Sequence, residues 1–552
     1  MRQDELTNHR APSFSRVIVV VCLLSSAFFI AFRLLTPIAI DTAFMHDTMY
    51  LASLGWRGVN GLWPIVDYWN FYGGFTAANV TLAFTLFGVS LKSVDYAFVI
   101  VFAWATLLLA VFSWKRISLL GFCICLLVVA TIILGPISIE DGYSPHVNRS
   151  FIYNHFAMAV IVGLTIFIAQ PITSSPIWDA ATGFVAGIAL VILVLAKATF
   201  VVVAPFIFAA CFFQRQYTTS LCMLAGLMIA FFLLDPGAMR FVGSLEEIWH
   251  AGQLERVGGF VGRILYIFRT VAWHAVFVLL VVFFAWRLWL AEGRPVALQM
   301  LSIFLGVLSF GAATLSMNGQ PSLMMLPILI VALLLVADML KRSEGGQATL
   351  VYLTSSAMTA VLVLPAVFYS IQVLGLVDDA RSRQLITEGP ASSYMVLDMG
   401  NPYRLPSAGN IEQRLETAVS EVAARIPNGG QNYNSDAYVV LADGVQLLNS
   451  IPDVSHYAII SRGSLFDFTV PLQSKPVPSF PVWPLERSTS FLRMSEVDII
   501  MTTNVLGSDD FFTDEMQKIF EMEFKECKSS QFFVLWVRQT AADIPCVSET
   551  WN

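Results

Sequence analysis

Residues 75–91, FTAANVTLAFTLFGVSL, decide how this chain is threaded through a membrane. The run is apolar enough to be counted as a crossing, yet it is short and carries Asn79 with several Thr and Ser residues. Counted as a crossing, it puts Lys115 and Arg116 on the same side as the polar stretch before it. Read as a helix lying along the interface, it leaves Arg2, Arg10, Arg16, Lys115, Arg116, Arg215, Arg287, Arg294, Lys341 and Arg342 on one face. An excess of Lys and Arg marks such a face as cytoplasmic. The interfacial reading is therefore adopted, and the polar stretch faces outward.

Composition sets the frame around this run. The chain has 552 residues, of which 57% are hydrophobic and 13% charged, with 43 Phe and a mean hydropathy of +0.70. A soluble protein needs far more polar surface than this provides. Apolar runs long enough for a bilayer core of about 30 Å fall near 17–39, 94–113, 117–136, 151–169, 178–196, 198–213, 218–235, 270–289, 296–316, 321–340 and 348–374. The expected fold is a polytopic α-helical membrane protein of about eleven transmembrane helices plus one interfacial helix. The first run is too long for a signal-peptide core and no small-residue cleavage site follows it, so it reads as an anchor.

Residues 1–375 form the expected transmembrane domain, with external loops at 40–93, 137–150 and 236–269. Arg240, Arg256, Arg263 and Arg269 in the last loop break the charge pattern: either that loop is cytoplasmic or its arginines meet an anionic ligand. From residue 376 to 552 the composition becomes that of a water-soluble domain. SSYMVLDMG, DAYVVLADG, HYAIIS, VDIIMTT and QFFVLWVR read as short buried strands. IEQRLETAVSEVAARI spaces its apolar residues helically and stops before Pro427, Gly429 and Gly430. Strands alternating with helices indicate a small exported α/β domain. Cys527 and Cys546 are the only cysteines in it, and in an oxidising compartment they could close a disulfide.

The net charge of −7 and the lack of any nucleic-acid motif exclude nucleic acid as an expected partner. No P-loop, dinucleotide loop or nucleophile elbow occurs. The energy for a reaction must come with the substrate, which points to an activated donor delivered through the membrane.

The polar stretch at 41–74, DTAFMHDTMYLASLGWRGVNGLWPIVDYWNFYGG, then needs a chemical reason. A span followed by His46-Asp47-Thr48-Met49-Tyr50, Gly61-Leu62-Trp63-Pro64, Asp67 and Tyr72-Gly73-Gly74, before an amphipathic run ending LFGVSLKS, resembles the first external loop of the GT-C superfamily of membrane glycosyltransferases. Its members include lipid A aminoarabinose transferases and protein O-mannosyltransferases. The resemblance covers mainly residues 15–200. It implies a sugar donor on a polyprenyl-phosphate carrier, a glycan, glycolipid or protein acceptor, and a segment matching 75–91 that lies on the membrane surface. The implied location is the bacterial inner membrane, with the terminal domain in the periplasm.

Asp47 matches the family's acidic position and is the candidate general base; its structural alternative is an N-cap for a helix beginning near Thr48. Asp67, in the same loop, either serves catalysis by helping to bind a divalent metal or orienting the acceptor, or holds the loop fold. Asp41 reads as a solvated charge at the end of the first span. His46 could tune Asp47 or ligate a metal, and His46, Tyr72 and Trp63 are candidate sugar or acceptor contacts; an interfacial aromatic belt also explains Trp56, Trp63 and Trp69. In the second loop Glu140 and Asp141 are candidates for a divalent metal, Mg or Mn, or for sugar hydroxyls. Arg149 offers paired N–H donors to the carrier phosphate. Lys197, a cation amid apolar residues, either snorkels or binds that phosphate, and Arg263 is a weaker candidate for the same anion. The rival readings are a transporter or flippase of lipid-linked glycans, and a non-catalytic subunit on the same scaffold.

Overall fold

The computed structural model describes residues 11–36, 39–41, 45–64, 73–136, 149, 152–171, 175–235, 241–243, 275–292, 294–315, 325–343, 345–387, 395–397, 408–425, 435–451, 457–460, 498–503 and 523–540. Every apolar run of the sequence is a helix: α1 (Ala11–Leu35), α4 (Leu91–Ser113), α5 (Leu119–Leu134), α6 (Ile152–Ala169), α7 (Pro176–Ala196), α8 (Val203–Phe213, entered through a 3-10 turn at Ala198–Val202), α9 (Tyr217–Leu234), α10 (Ala275–Glu292), α11 (Arg294–Leu315), α12 (Leu326–Ser343) and α13 (Gly345–Ser382). Among the described residues, seven helical segments are long and apolar enough to cross a membrane, and five shorter ones are apolar. The chain is a polytopic helical membrane protein.

Two further helices, α2 (Met45–Val59) and α3 (Gly73–Phe87), lie between α1 and α4. Each has 15 residues, about 22 Å of helix and short of the bilayer core. They pack on one another closely, with Gly55 against Val80 and Gly58 against Thr81.

Side-chain contacts fix the threading. Arg33, in the last turn of α1, bonds to Asp95 in the second turn of α4 and to the carbonyls of Leu134 and Gly135 at the end of α5. The end of α1 and the start of α4 are therefore level, and the chain between them makes no net crossing. Both ends of α3 lie at this same level. Phe75 stacks on Phe156 near the head of α6 at 4.3 Å, and Phe87 meets Tyr96 in α4 at 4.7 Å. Gly73 opens α3 at φ 65° and packs against the carbonyls of Leu195 and Ala196 at the end of α7. A side chain there would be strained and would meet backbone. The helix at 73–87 thus lies across the helix ends, as the interfacial reading of 75–91 requires.

The opposite end of the bundle carries tight turns. Arg116 donates to Asp179 and, at 2.9 Å, to Thr182; Thr219 donates to the other oxygen of Asp179 at 3.1 Å. Asp338 of α12 accepts from Ser118 N at 3.1 Å and from Tyr352 of α13. Gln214 donates to Ile168 O and to Ser302 of α11. Lys115, Arg116, Arg215 and the start of α11 at Arg294 sit at this end, so α9 leaves it and α10 returns to it. Residues 235 and 275 consequently lie at the loop end with Arg33.

α6 is the axis of the bundle and is buried along its whole length. α7 and α9 cross tightly, because Gly183, Gly187 and Gly226 let their backbones touch.

Beyond the bundle, β3 (Tyr457–Ile460), β4 (Ile499–Thr503), β6 (Phe533–Arg538) and β5 (Phe524–Ser529) form one sheet in the order β3-β4-β6-β5, parallel at its first pair and antiparallel thereafter. α14 (Ile411–Arg425), capped by Asn410 through Gln413 N, and α15 (Ser435–Asn449) accompany it. The strand expected at DAYVVLADG is instead α15. Tyr438, Leu441, Ala442, Val445 and Leu448 are buried at helical spacing, and reading the run only as far as Gly444 hid that period.

α13 continues through residues 375 and 376 to Ser382, where Arg414 donates to Ser382 O and Tyr438 Oη accepts from Leu385 N and Ile386 N. A second, two-stranded sheet pairs β1 (Ala39–Asp41) with β2 (Met395–Leu397) in parallel, Ile40 opposite Val396. Asp41, expected as a solvated charge at a helix end, is a strand residue. The loop after α1 is thereby joined to the terminal part of the chain. Cys527 is disulfide-bonded; its expected partner Cys546 lies outside the described residues.

Candidate active site at the loop end of the bundle

Charge gathers where α1, α4, α5 and α6 end together. Asp95 lies one turn into α4, which starts behind the N-cap Ser90, and it is 4% exposed. Arg33 Nη1 reaches its Oδ1 at 3.0 Å, and Arg149 Nε reaches the same oxygen at 2.9 Å. Arg149 Nη2 donates to Oδ2 at 3.5 Å. Lys92 Nζ stands 3.9 Å from Oδ2 and donates to Arg33 O and Thr36 O, which fastens the end of α1 to α4. Three cations thus share one carboxylate. Such a surplus, taken out of water, is costly unless a further anion offsets it.

Arg149 is 3% exposed. Its Nε and Nη2, the fork that sequence analysis offers to a phosphate, are committed to Asp95, while Nη1 has no partner among the described residues. Neither ring nitrogen of His155, one turn into α6, is hydrogen-bonded either. Lys197 closes α7 with extended backbone, is 7% exposed, and holds Nζ 5.5 Å from the ring centre of Tyr153, one turn on from Arg149. Burial argues against simple snorkelling into water. Arg149 and Lys197 therefore both approach the head of α6.

The backbone of α2 begins at Met45, two residues before Asp47, which places Asp47 and His46 in its first turn and not ahead of a helix starting near Thr48. The first turn of a helix is a favourable place for a carboxylate. Trp63 is 41% exposed and Trp56 is buried. Asp67, Tyr72, Glu140, Asp141 and Arg263 lie outside the described residues, and among the described residues no three His, Cys, Asp or Glu side chains converge as metal ligands.

Sequence reasoning passed over Asp95, Arg33 and Lys92. Their signal was present: Asp95 is a carboxylate inside the run read as 94–113, and Arg33 a cation inside 17–39. An ionisable residue within a span should have called for a named partner.

No family model matches the chain, and no curated protein matches it in sequence. Among solved structures it is similar to ArnT from Cupriavidus metallidurans bound to undecaprenyl phosphate, at 11% identity, over 96% of this chain and 99% of that one, with a TM-score of 0.44. It is also similar to the archaeal oligosaccharyltransferase AglB from Archaeoglobus fulgidus in complex with an inhibitory peptide and a dolichol-phosphate, at 13% identity, over 89% of this chain and 69% of that one, with a TM-score of 0.37. At these scores the fold reading rests on the chain's own threading.

Proposed function

We propose that this protein is a GT-C-type membrane glycosyltransferase, which transfers a sugar from a polyprenyl-phosphate carrier to a glycan, glycolipid or protein acceptor outside the cytoplasmic membrane. The observation that carries the reading is the surplus of cations around Asp95, at the end of the bundle where α3 lies across the helix ends. An anion that arrives with its lipid tail in the bilayer suits such a place.

In this reaction the acceptor hydroxyl gives its proton to Asp47 as its oxygen attacks the anomeric carbon. The bond from that carbon to the phosphate oxygen breaks on the opposite face, so the configuration inverts. The bond electrons pass to the phosphate, and Arg149 Nη1 and Lys197, with Arg263, offset the charge gained there. Asp67 orients the acceptor, and His46, Tyr72 and Trp63 contact acceptor or sugar. Glu140 and Asp141 would hold a divalent ion or sugar hydroxyls. The disulfide at Cys527 supports an oxidising, periplasmic setting for the terminal domain of residues 376–552.

The test is transfer by purified protein from a panel of defined polyprenyl-phosphate sugars, run beside proteoliposomes that report movement of lipid-linked glycans. Transfer from at least one donor is expected. Movement across the bilayer with no transfer from any donor would replace this reading with that of a flippase.

A further inference from the structure

We propose that Asp95 is the positioning residue for the carrier phosphate: it grips Nε and Nη2 of Arg149 so that Nη1 of the same guanidinium is presented to the phosphate at the head of α6. The inference rests on the reading of the protein as polyprenyl-phosphate-dependent. Asp95 does not itself touch the donor.

Three observations support it. First, the guanidinium is planar and rigid, so fixing two of its nitrogens fixes the direction of the third. Arg149 Nε and Nη2 both lie on Asp95, at 2.9 and 3.5 Å. Second, Asp95 is itself held in place. Arg33 clamps its Oδ1 at 3.0 Å while donating Nε to Leu134 O at 2.8 Å and Nη2 to Gly135 O at 3.3 Å, so three helices determine where the carboxylate stands. Third, polar capacity is left over at this spot. Arg149 Nη1 and both ring nitrogens of His155 are buried without hydrogen-bond partners among the described residues. Buried donors are nearly always satisfied, and a group that is not calls for an occupant.

A purely charge-balancing role for Asp95 predicts the opposite sign on mutation. Removing its negative charge would raise the positive potential at the site and tighten an anion.

The experiment measures binding of decaprenyl phosphate and of decaprenol, its uncharged counterpart, to the full-length protein in nanodiscs, for wild type, Asp95→Asn, Asp95→Glu and Arg149→Lys. Wild type should prefer the phosphate. Asp95→Asn should weaken the phosphate about tenfold or more and leave decaprenol unchanged, with part of the preference restored in Asp95→Glu. Loss of both ligands together would mean that Asp95 only maintains the fold, and an unchanged or tighter phosphate would show that Arg149 needs no positioning; either overturns the inference. Should Asp95→Asn fail to fold, Arg149→Lys decides: its point charge cannot hold Asp95 and present a fixed N–H together, so wild-type phosphate affinity in that variant would also overturn it. Absence of any phosphate preference in wild type would instead sink the donor reading beneath it.

Discussion

Arg33 and Asp95, 62 positions apart, meet at 3.0 Å in the buried interior of the bundle, and their contact levels the end of α1 with the start of α4. The guanidinium also satisfies two carbonyls at the end of α5. Arg33→Met keeps the apolar stem but strips those partners and removes the guanidinium carbon that stands 4.8 Å from the ring centre of Phe98. Asp95 retains Arg149, so the protein should fold with stability reduced by on the order of 2 kcal/mol. Thermal unfolding in detergent measures this, and an unchanged transition would show that the contact does not staple the helices.

The α7–α9 crossing offers a test of packing remote from the site. A Cβ at Gly187 would run into the carbonyl of Met223 and the amide of Leu227, and one at Gly226 into the carbonyl of Phe184. Backbone cannot step aside as a side chain can. Gly187→Leu should therefore cost about 1–3 kcal/mol or more and lower the yield of monodisperse protein, whereas a change at Gly311, which has open space around it, should be tolerated.

In the terminal domain Asp443 is buried, and burial pushes its carboxyl above the ordinary aspartate range; hydrogen bonds from Ser530 Oγ at 2.6 Å and Phe532 N at 3.2 Å oppose this only in part. A carboxyl whose folded value is raised holds its proton more tightly when folded. Its stabilising contribution is complete below the unfolded value and is lost as pH rises through the folded one. Asp443→Asn keeps an acceptor for both donors and removes the charge. The variant should thus equal or exceed wild type in stability near neutral pH, with the difference closing below about pH 4. Unfolding of both proteins followed at several pH values checks the sign, and a variant less stable than wild type at neutral pH contradicts it.

Much of the threading was legible because hydropathy reports burial in lipid directly: each apolar run became a helix, and the short, Thr-rich run at 75–91 became α3. The strands at 457–460, 499–503 and 533–538 were legible for a similar reason, as β-branched and aromatic runs between turn signals. α15 was not, since VVLADG carries strand composition and only the continuation through Leu448 exposes a helical period. β5, FKECKS, escaped because three of its residues are charged and it carries few apolar ones. At the site, Lys197 could be singled out by its isolation in apolar sequence and Arg149 by its place in the polar second loop. That Arg149 would be shared with Asp95 and Arg33 could not, because this partnership exists only once α1, α4 and α6 end at one level.

The most direct measurement is single-turnover transfer of a radiolabelled sugar from its polyprenyl-phosphate carrier by wild type and Asp47→Asn, with donor binding measured alongside. Loss of the general base should slow transfer by about 10²- to 10⁴-fold while donor affinity stays within a few-fold, since Asp47 is assigned to the acceptor hydroxyl and not to the phosphate. Wild-type transfer rates in the Asn variant would contradict the account at its centre.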